Sequence, residues 1–319
     1  MPIEFLIFLT VFTPALVGGL NLIFNKNPNV RDTVTLLGAL ITFYFSANIF
    51  LGFDGQATQY KLATIMPGID ISFHIEPLGI VFSLLASGLW ILIHIYAIGY
   101  MRGAKEKNHS RFFFFFSVSI ASVMGISFSG NLFTLFLFYE ILTLITFPLV
   151  SHKGSNEALR GARVYLSILL GTSIGLQLLG IIWIYFSVGT LDFVKGGILN
   201  ASFGSLELIL LVALFAFGIG KAALFPFHRW LPAAMVAPTP VSALLHAVAV
   251  VHVPIDDQHA LDAQRGARDG GGDAHVVEQA EAHRLVVLAV VPGGPDVRKS
   301  VRQPPVDHRL AKCRRPTGR

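Results

Sequence analysis

Charge is scarce in this 319-residue chain: 13% of its residues are Asp, Glu, Lys or Arg, about half the share of a typical soluble domain. With 53% of residues hydrophobic, that scarcity excludes both a disordered chain and an ordinary soluble enzyme. Cysteine is nearly absent, with one copy, which excludes a disulfide framework and a cysteine zinc site. No P-loop, G-x-S-x-G, HExxH or CxxC pattern occurs, so no nucleotide, flavin, haem, iron–sulfur or metal site is expected, and no cofactor. Aromatic residues and methionine are missing from residues 251–319; all 27 Phe, 7 Tyr, 3 Trp and 5 Met come earlier. That tail is dominated by Ala, Val, Gly, Pro, Arg, Asp and His, and the spacing of His252, His259, His275 and His283 within it is not ligand-like. The formal charge of +5 would suggest nucleic acid as the partner of a soluble protein, but in a membrane protein Lys and Arg first report orientation.

What the chain has instead is long apolar runs. Segments near the 20 or so residues that cross a bilayer can be placed at 3–24, 33–53, 78–101, 112–130, 131–151, 164–188 and 208–227, with an eighth beginning near Val241. The first lacks a basic leader and is too long for a signal-peptide core, so it is read as a retained helix. The first, third, fifth and seventh connections hold Lys26, Arg31, Arg102, Lys105, Lys107, Arg111, Lys153, Arg160, Arg163 and Arg229; the second and sixth hold only Lys61 and Lys195. Ten against two places the odd connections in the cytoplasm and the N-terminus outside. The two poor connections, 54–77 and 189–207, are β-branched and Gly-containing, which suits short hairpins or amphipathic pieces.

With connection charges set aside, Glu140 and Lys221 are the charged residues expected within spans, joined by His94 and His246. An ionisable group in hydrocarbon is costly and by default functional. Glu140 lies ten residues into its span, near the midplane at about 1.5 Å per residue, and Thr143 and Thr146 extend a polar stripe from it. Lys221 follows Gly218-Ile219-Gly220 and precedes Pro226, a proline that favours a helix break. Pro238-Thr239-Pro240 repeats the interruption before His246. Broken helices at mid-membrane are how many transporters build ion sites. Burial penalises the charge on Glu140 and on Lys221 while their mutual attraction favours it, so a proton arriving at one changes the other. A static pair that only fixes helix packing is the bland alternative. His246 is read as a relay group. His94, near Tyr96 and Tyr100, is at least as well explained as an interfacial anchor. The five phenylalanines from Phe112 to Phe116 read as a lipid-facing or packing surface, and His228, Arg229 and Trp230 as boundary anchors.

Three motifs then resemble a known family: Leu92-Ile93-His94-Ile95-Tyr96-Ala97-Ile98-Gly99-Tyr100-Met101; Phe138-Tyr139-Glu140; and Gly220-Lys221-Ala222-Ala223-Leu224-Phe225-Pro226-Phe227-His228-Arg229-Trp230-Leu231-Pro232, continuing through Leu244-Leu245-His246-Ala247. They resemble the antiporter-like membrane subunits shared by Mrp-type cation/proton antiporters, respiratory complex I (NADH–quinone oxidoreductase) and membrane-bound hydrogenases. Residues 138–154 look closest to the D-type branch of the Mrp antiporters. The resemblance implies an all-α, polytopic transmembrane bundle, here about seven to eight spans of a roughly fourteen-helix fold with broken helices. It implies that Glu140, Lys221 and His246 belong to a proton path. It further implies a multi-pass subunit of the cell membrane, with lipid, other membrane subunits, protons and a monovalent cation as partners and no nucleic acid. Whether the host complex is an antiporter or a redox-driven pump stays open, as does a truncated, non-conducting scaffold. The likeness covers residues 1–250; residues 251–319 are expected to be out of frame or a disordered tail.

Overall fold

The computed structural model describes residues 3–55, 59–193 and 203–250, with side chains to residue 245. The chain forms α1 (Ile3–Ile23), α2 (Pro28–Gly52), the hairpin β1 (Gln59–Met66) and β2 (Ile69–His74), α3 (Pro77–Gly103), α4 (His109–Ser127) and α5 (Leu132–Val150). Then come α6 (Asn156–Thr172), a π turn (Ser173–Gln177), α7 (Leu178–Val188), α8 (Ser205–Gly218), two 3-10 turns (Gly220–Ala222 and Phe227–Arg229), α9 (Trp230–Ala234) and α10 (Thr239–Val250). Among the described residues six helices are long and apolar enough to cross a membrane: α1 to α5, and α6 with α7 as one continuous rod. The helical architecture is therefore that of a polytopic membrane bundle. Large apolar side chains such as Leu16, Leu51, Leu92 and Phe186 point outward, where hydrocarbon rather than water is the matching solvent.

Proline, serine and asparagine set the helix ends. Pro28 and Pro77 open α2 and α3, where a missing N–H costs nothing. Asn131 accepts from Thr134 N at 2.7 Å to cap α5, and Ser155 accepts from Ala158 N at 3.1 Å to cap α6, each satisfying an orphan donor. Within the spans Thr10, Thr42, Ser87 and Ser119 each return their proton to the carbonyl four residues back, so these hydroxyls enter the bilayer already paired. α4 is the most buried span, packed between α1, α3 and α5. Phe112, Phe113 and Phe116 face inward and are essentially inaccessible, which selects the packing reading of the phenylalanine run over the lipid-facing one.

The connection at 54–77 is a hairpin. Its strands pair antiparallel from Gln59↔His74 to Met66↔Ile69, turning at Gly68 with φ +81°, a conformation glycine adopts freely. It is seated on the N-terminus of α5: Asn131 Nδ2 donates to Asp70 O (2.6 Å) and Ser72 Oγ (2.9 Å), Ser72 N to Thr134 Oγ1 (3.0 Å) and Gly130 N to Ser72 O (2.8 Å).

At the other end of the bundle lies an ion network whose members read, in the sequence, as connection charge. Arg31 and Asp32 sit near the start of α2 and are buried. Asp32 takes Arg31 Nη2 at 2.7 Å and Arg102 Nη2 of α3 at 2.5 Å. Arg31 also reaches Ser110 Oγ at 3.2 Å and stands over the Phe113 ring at 5.1 Å. His94 belongs here too, with Nε2 3.2 Å from Asp32 O and its ring edge-on to Phe113. Being fully buried, it is a packed core histidine and not the interfacial anchor expected; its neighbour Tyr96 takes the outward face.

His152, just past the end of α5, is buried edge-on against Phe112 with a hydrogen bond on neither ring nitrogen. Burial first, then the Arg111 charge, holds its imidazole below the ordinary histidine range; Glu106 and the Lys107 backbone oppose without outweighing them. The unfolded chain therefore takes this proton at higher pH than the folded one. Stability is fully present above the unfolded value, about 6.5, and falls as pH drops from there towards the folded value. In detergent, the thermal midpoint is expected to decline between pH 7.5 and 5.5, with this group contributing at most about 1.4 kcal/mol per pH unit. His152→Phe should flatten that decline; an unchanged slope would remove His152 as its source.

Candidate functional site

Two helices meet around Lys221. α5 presents Tyr139, Thr143 and Thr146, whose spacing of four and three residues puts them on one helical face. Opposite, α8 stops at Gly218, and Lys221 lies in the 3-10 turn that follows. The break was expected nearer Pro226, within a span over 208–227; it begins at Ile219 (φ −77°, ψ 73°). Close packing surrounds the break. A Cβ on Gly220 would collide with Thr172 Oγ1, and one on Gly218 would lie 2.6 Å from the Gln177 backbone nitrogen. The broken end is thus pressed against the π turn between α6 and α7. Such turns recur at functional sites. Ala223 follows in the left-handed region (φ +51°), which costs an alanine about 1–2 kcal/mol.

A broken helix in hydrocarbon must find partners for its freed backbone. Trp230, at the start of α9, supplies one: its Nε1 donates to Gly220 O at 2.7 Å. The residue is buried and its indole meets the Tyr165 ring edge-on, so Trp230 is an internal strut of the break and not the boundary anchor expected.

Lys221 is held by three contacts to Tyr139 and one to Thr143. Its backbone N–H donates to Tyr139 OH (3.2 Å), and its Nζ donates to Tyr139 O (3.2 Å) and Thr143 Oγ1 (3.0 Å). The ammonium also stands 3.5 Å from the centroid of the Tyr139 ring, a cation–π contact that desolvation strengthens. Glu140 is the next residue along α5, yet among the described residues no Glu140–Lys221 ion pair forms within 4.0 Å. Both Glu140 carboxyl oxygens are buried and without a hydrogen-bond partner. The Ser173 hydroxyl is within interaction range of the carboxyl, as is the Lys221 charge, but Ser173 directs its proton to Leu169 O at 2.7 Å. The structure therefore brings Glu140 and Lys221 into electrostatic reach without direct contact.

Beside Lys221 opens a small, mostly apolar cavity with room for about one water, walled by α5, α6, α9 and α10 and touching Thr146, Tyr165, Leu244 and Leu245. Tyr165 OH lies 2.7 Å from Thr146 Oγ1. His246 follows Leu245 on α10, and its side chain lies outside the described residues. Among the described residues no group of three or more His, Cys, Asp or Glu is placed to hold a metal. Tyr139, Tyr165 and Trp230 are the members of this site that sequence reasoning missed. The one available signal is the position of Tyr139 on the face of Thr143 and Thr146.

Residues 129–255 match the family model described as NADH:quinone oxidoreductase/Mrp antiporter, transmembrane. Residues 66–113 match that of NADH-ubiquinone oxidoreductase (complex I), chain 5 N-terminus. A chain of Staphylococcus haemolyticus named as antiporter subunit mnhA2 is 34% identical over 227 residues, covering 68% of this chain and 27% of that one. Chloroplast NAD(P)H-quinone oxidoreductase subunit 5 of Ipomoea purpurea is 31% identical, covering 76% and 36%. NADH-quinone oxidoreductase subunit L of Campylobacter jejuni is 30% identical, covering 71% and 37%. This chain thus spans well under half the length of these relatives. In fold it is similar to a chain of the membrane-bound sulfane sulfur reductase, an archaeal respiratory membrane complex, with a TM-score of 0.66 at 21% identity over 76% of this chain and 38% of that one. Together with the apolar spans and the broken helix, these matches place residues 66–113 and 129–255 of the chain in the family of antiporter-like membrane subunits.

Proposed function

We propose that this chain is a proton-translocating subunit of a multisubunit cation/proton antiporter, with Glu140, Lys221 and His246 as its proton relay. The observation that carries the reading is Lys221 itself: an ammonium at a helix break, held by Tyr139 and Thr143, facing a cavity that reaches the helix of His246. Its electrostatic coupling to a Glu140 carboxyl with no hydrogen-bond partner suits a pair whose proton occupancy is meant to change, since an unpartnered buried carboxyl is costly to retain for packing alone. The exchanged ion is a monovalent cation, the partners are other membrane subunits, and the chain sits in the cell membrane with its N-terminus outside, from the ten-to-two distribution of Lys and Arg. Residues 251–319, read in the sequence as an out-of-frame or disordered tail, lie outside the described residues; sequencing the DNA through codon 251 in all three frames tests that reading.

Glu140→Gln keeps the shape of the side chain and removes its titration. In everted vesicles carrying the assembled complex, it is expected to lower NaCl- or KCl-driven proton movement at least about 100-fold, the low end for removing a positioned acid–base group. Wild-type proton movement would sink the relay. A second reading, a pump subunit in a redox-driven complex, is favoured by the two relatives named as quinone oxidoreductase subunits; co-purification with quinone-reducing subunits would select it. A non-conducting scaffold would give a complex that assembles normally and whose transport ignores Glu140.

A further inference from the structure

Resting on that reading, we infer that the hydroxyl pair Thr146–Tyr165 is the station through which a proton leaving Lys221 passes on its way to α10. Most of the cavity wall offers a proton nothing to hold. Leu244 and Leu245 from α10 are apolar, and the Trp230 N–H is committed to Gly220 O. Beyond Lys221, the polar side-chain atoms on the wall are the hydroxyls of Thr146 and Tyr165. The cavity has room for about one water, and a water needs two to four polar partners, so a water placed there between Lys221 and α10 is anchored by Lys221 and this pair.

The pair can also be polarised in two ways. Thr146 Oγ1 carries one proton and has three oxygen neighbours: Leu142 O, Thr143 O at 3.2 Å, and Tyr165 OH at 2.7 Å. If Thr146 donates to a backbone carbonyl, it accepts from Tyr165, whose oxygen then offers lone pairs to the cavity. If Thr146 donates to Tyr165, the phenolic proton turns into the cavity instead. A proton given up by the Lys221 ammonium to a cavity water enters the pair on one oxygen, while another proton leaves from the pair towards α10. Each hydroxyl ends with the number of protons it had, the lysine ends neutral, and rotation of the two O–H bonds resets the pair. Neither tyrosine nor threonine has to ionise. Thr146 and Tyr165 are positioning and passing groups, and Lys221 remains the proton donor.

Tyr165→Phe tests this while keeping the ring against Trp230. The assay is proton movement in proteoliposomes containing the whole complex, started by NaCl or KCl and repeated in D2O, with Lys221→Ala as the reference. The expected result is a Tyr165→Phe rate about 10-fold below wild type with an enlarged solvent isotope effect, and no further loss when Thr146→Val is added. Thr146→Ser, which keeps the hydroxyl, should retain the wild-type rate. If Tyr165→Phe fails to assemble, Thr146→Val against Thr146→Ser decides: slow against normal supports the station, both normal overturns it. A wild-type rate and isotope effect in Tyr165→Phe, with Lys221→Ala inactive, overturns the station and leaves the relay standing. Wild-type rates in both overturn the relay as well.

Discussion

Lys221→Ala is expected to reduce proton movement through the assembled complex by about 100-fold or more, within the range seen when a positioned acid–base group is removed. Alanine takes away the ammonium that contacts Tyr139 O and Thr143 Oγ1, yet leaves intact the backbone bonds that hold the break, from Lys221 N to Tyr139 OH and from Trp230 to Gly220. The complex should therefore still assemble. Lys221→Arg is the more discriminating partner variant. Arginine retains the positive charge and its attraction to Glu140, but it does not give up its proton in proteins. If Lys221 merely neutralises Glu140, arginine restores function; if Lys221 must lose and regain a proton, arginine is as inactive as alanine. The second outcome is the expected one, measured as initial rates in everted vesicles against the quantity of assembled complex.

The largest effect on stability is expected at Asp32. Its carboxylate is shared by Arg31 and Arg102, and the two arginines differ in what they lose without it. Arg102 is half-exposed and also bonded to Asn29 Oδ1 at 3.0 Å, so it turns to solvent at little cost. Arg31 is buried and would keep only Ser110 and the Phe113 face. Removing one member of a buried pair typically costs about 3–5 kcal/mol because a charge is left unpaired. Asp32→Ala should lower stability by that amount, read as a fall in thermal midpoint and in the yield of monodisperse protein in detergent. Replacing both members by apolar residues, Arg31→Met with Asp32→Leu, should recover most of the loss. Lys61→Ala is the contrast: Lys61 pairs with Asp70 at 2.5 Å, but its side chain is 60% exposed, so water replaces the lost partner and little change is expected.

These two sites also mark what can be read from the chain alone. Lys221 and Glu140 stand out because hydrocarbon penalises isolated charge, and the spans stand out because a bilayer demands length. Both signals are one-dimensional. Arg31 and Asp32 carry equally buried charge, but they lie at the start of a span beside Lys26, where hydropathy cannot tell a solvated loop from a paired helix start. What buries them is Arg102 and Ser110, 70 and 79 residues away. His94 and Trp230 are misjudged for the same reason, since amphipathic side chains near a span end suit either lipid or core. The sixth span begins at Asn156 and not near 164, because Glu157, Arg160 and Arg163 in its first turns conceal it from an apolar-run criterion. The end of α8 at Gly218 coincides with a close approach to Thr172 and Gln177, a contact between helices that the Gly218-Ile219-Gly220 run permits but does not specify.

The seating of the hairpin bears on how the chain is made. Ser72 and Asp70 receive their partners from Asn131 and Thr134, 59 to 64 residues later. At roughly 5–20 residues per second of synthesis, the hairpin emerges several seconds before the residues that hold it exist. During that interval three further segments, α3, α4 and the start of α5, have yet to leave the ribosome and enter the bilayer, and β1 and β2 wait with their α5-facing groups unmatched. The start of α5 is therefore a latch as well as a helix cap, and its arrival converts a loosely tethered ribbon into a fixed rim on the bundle.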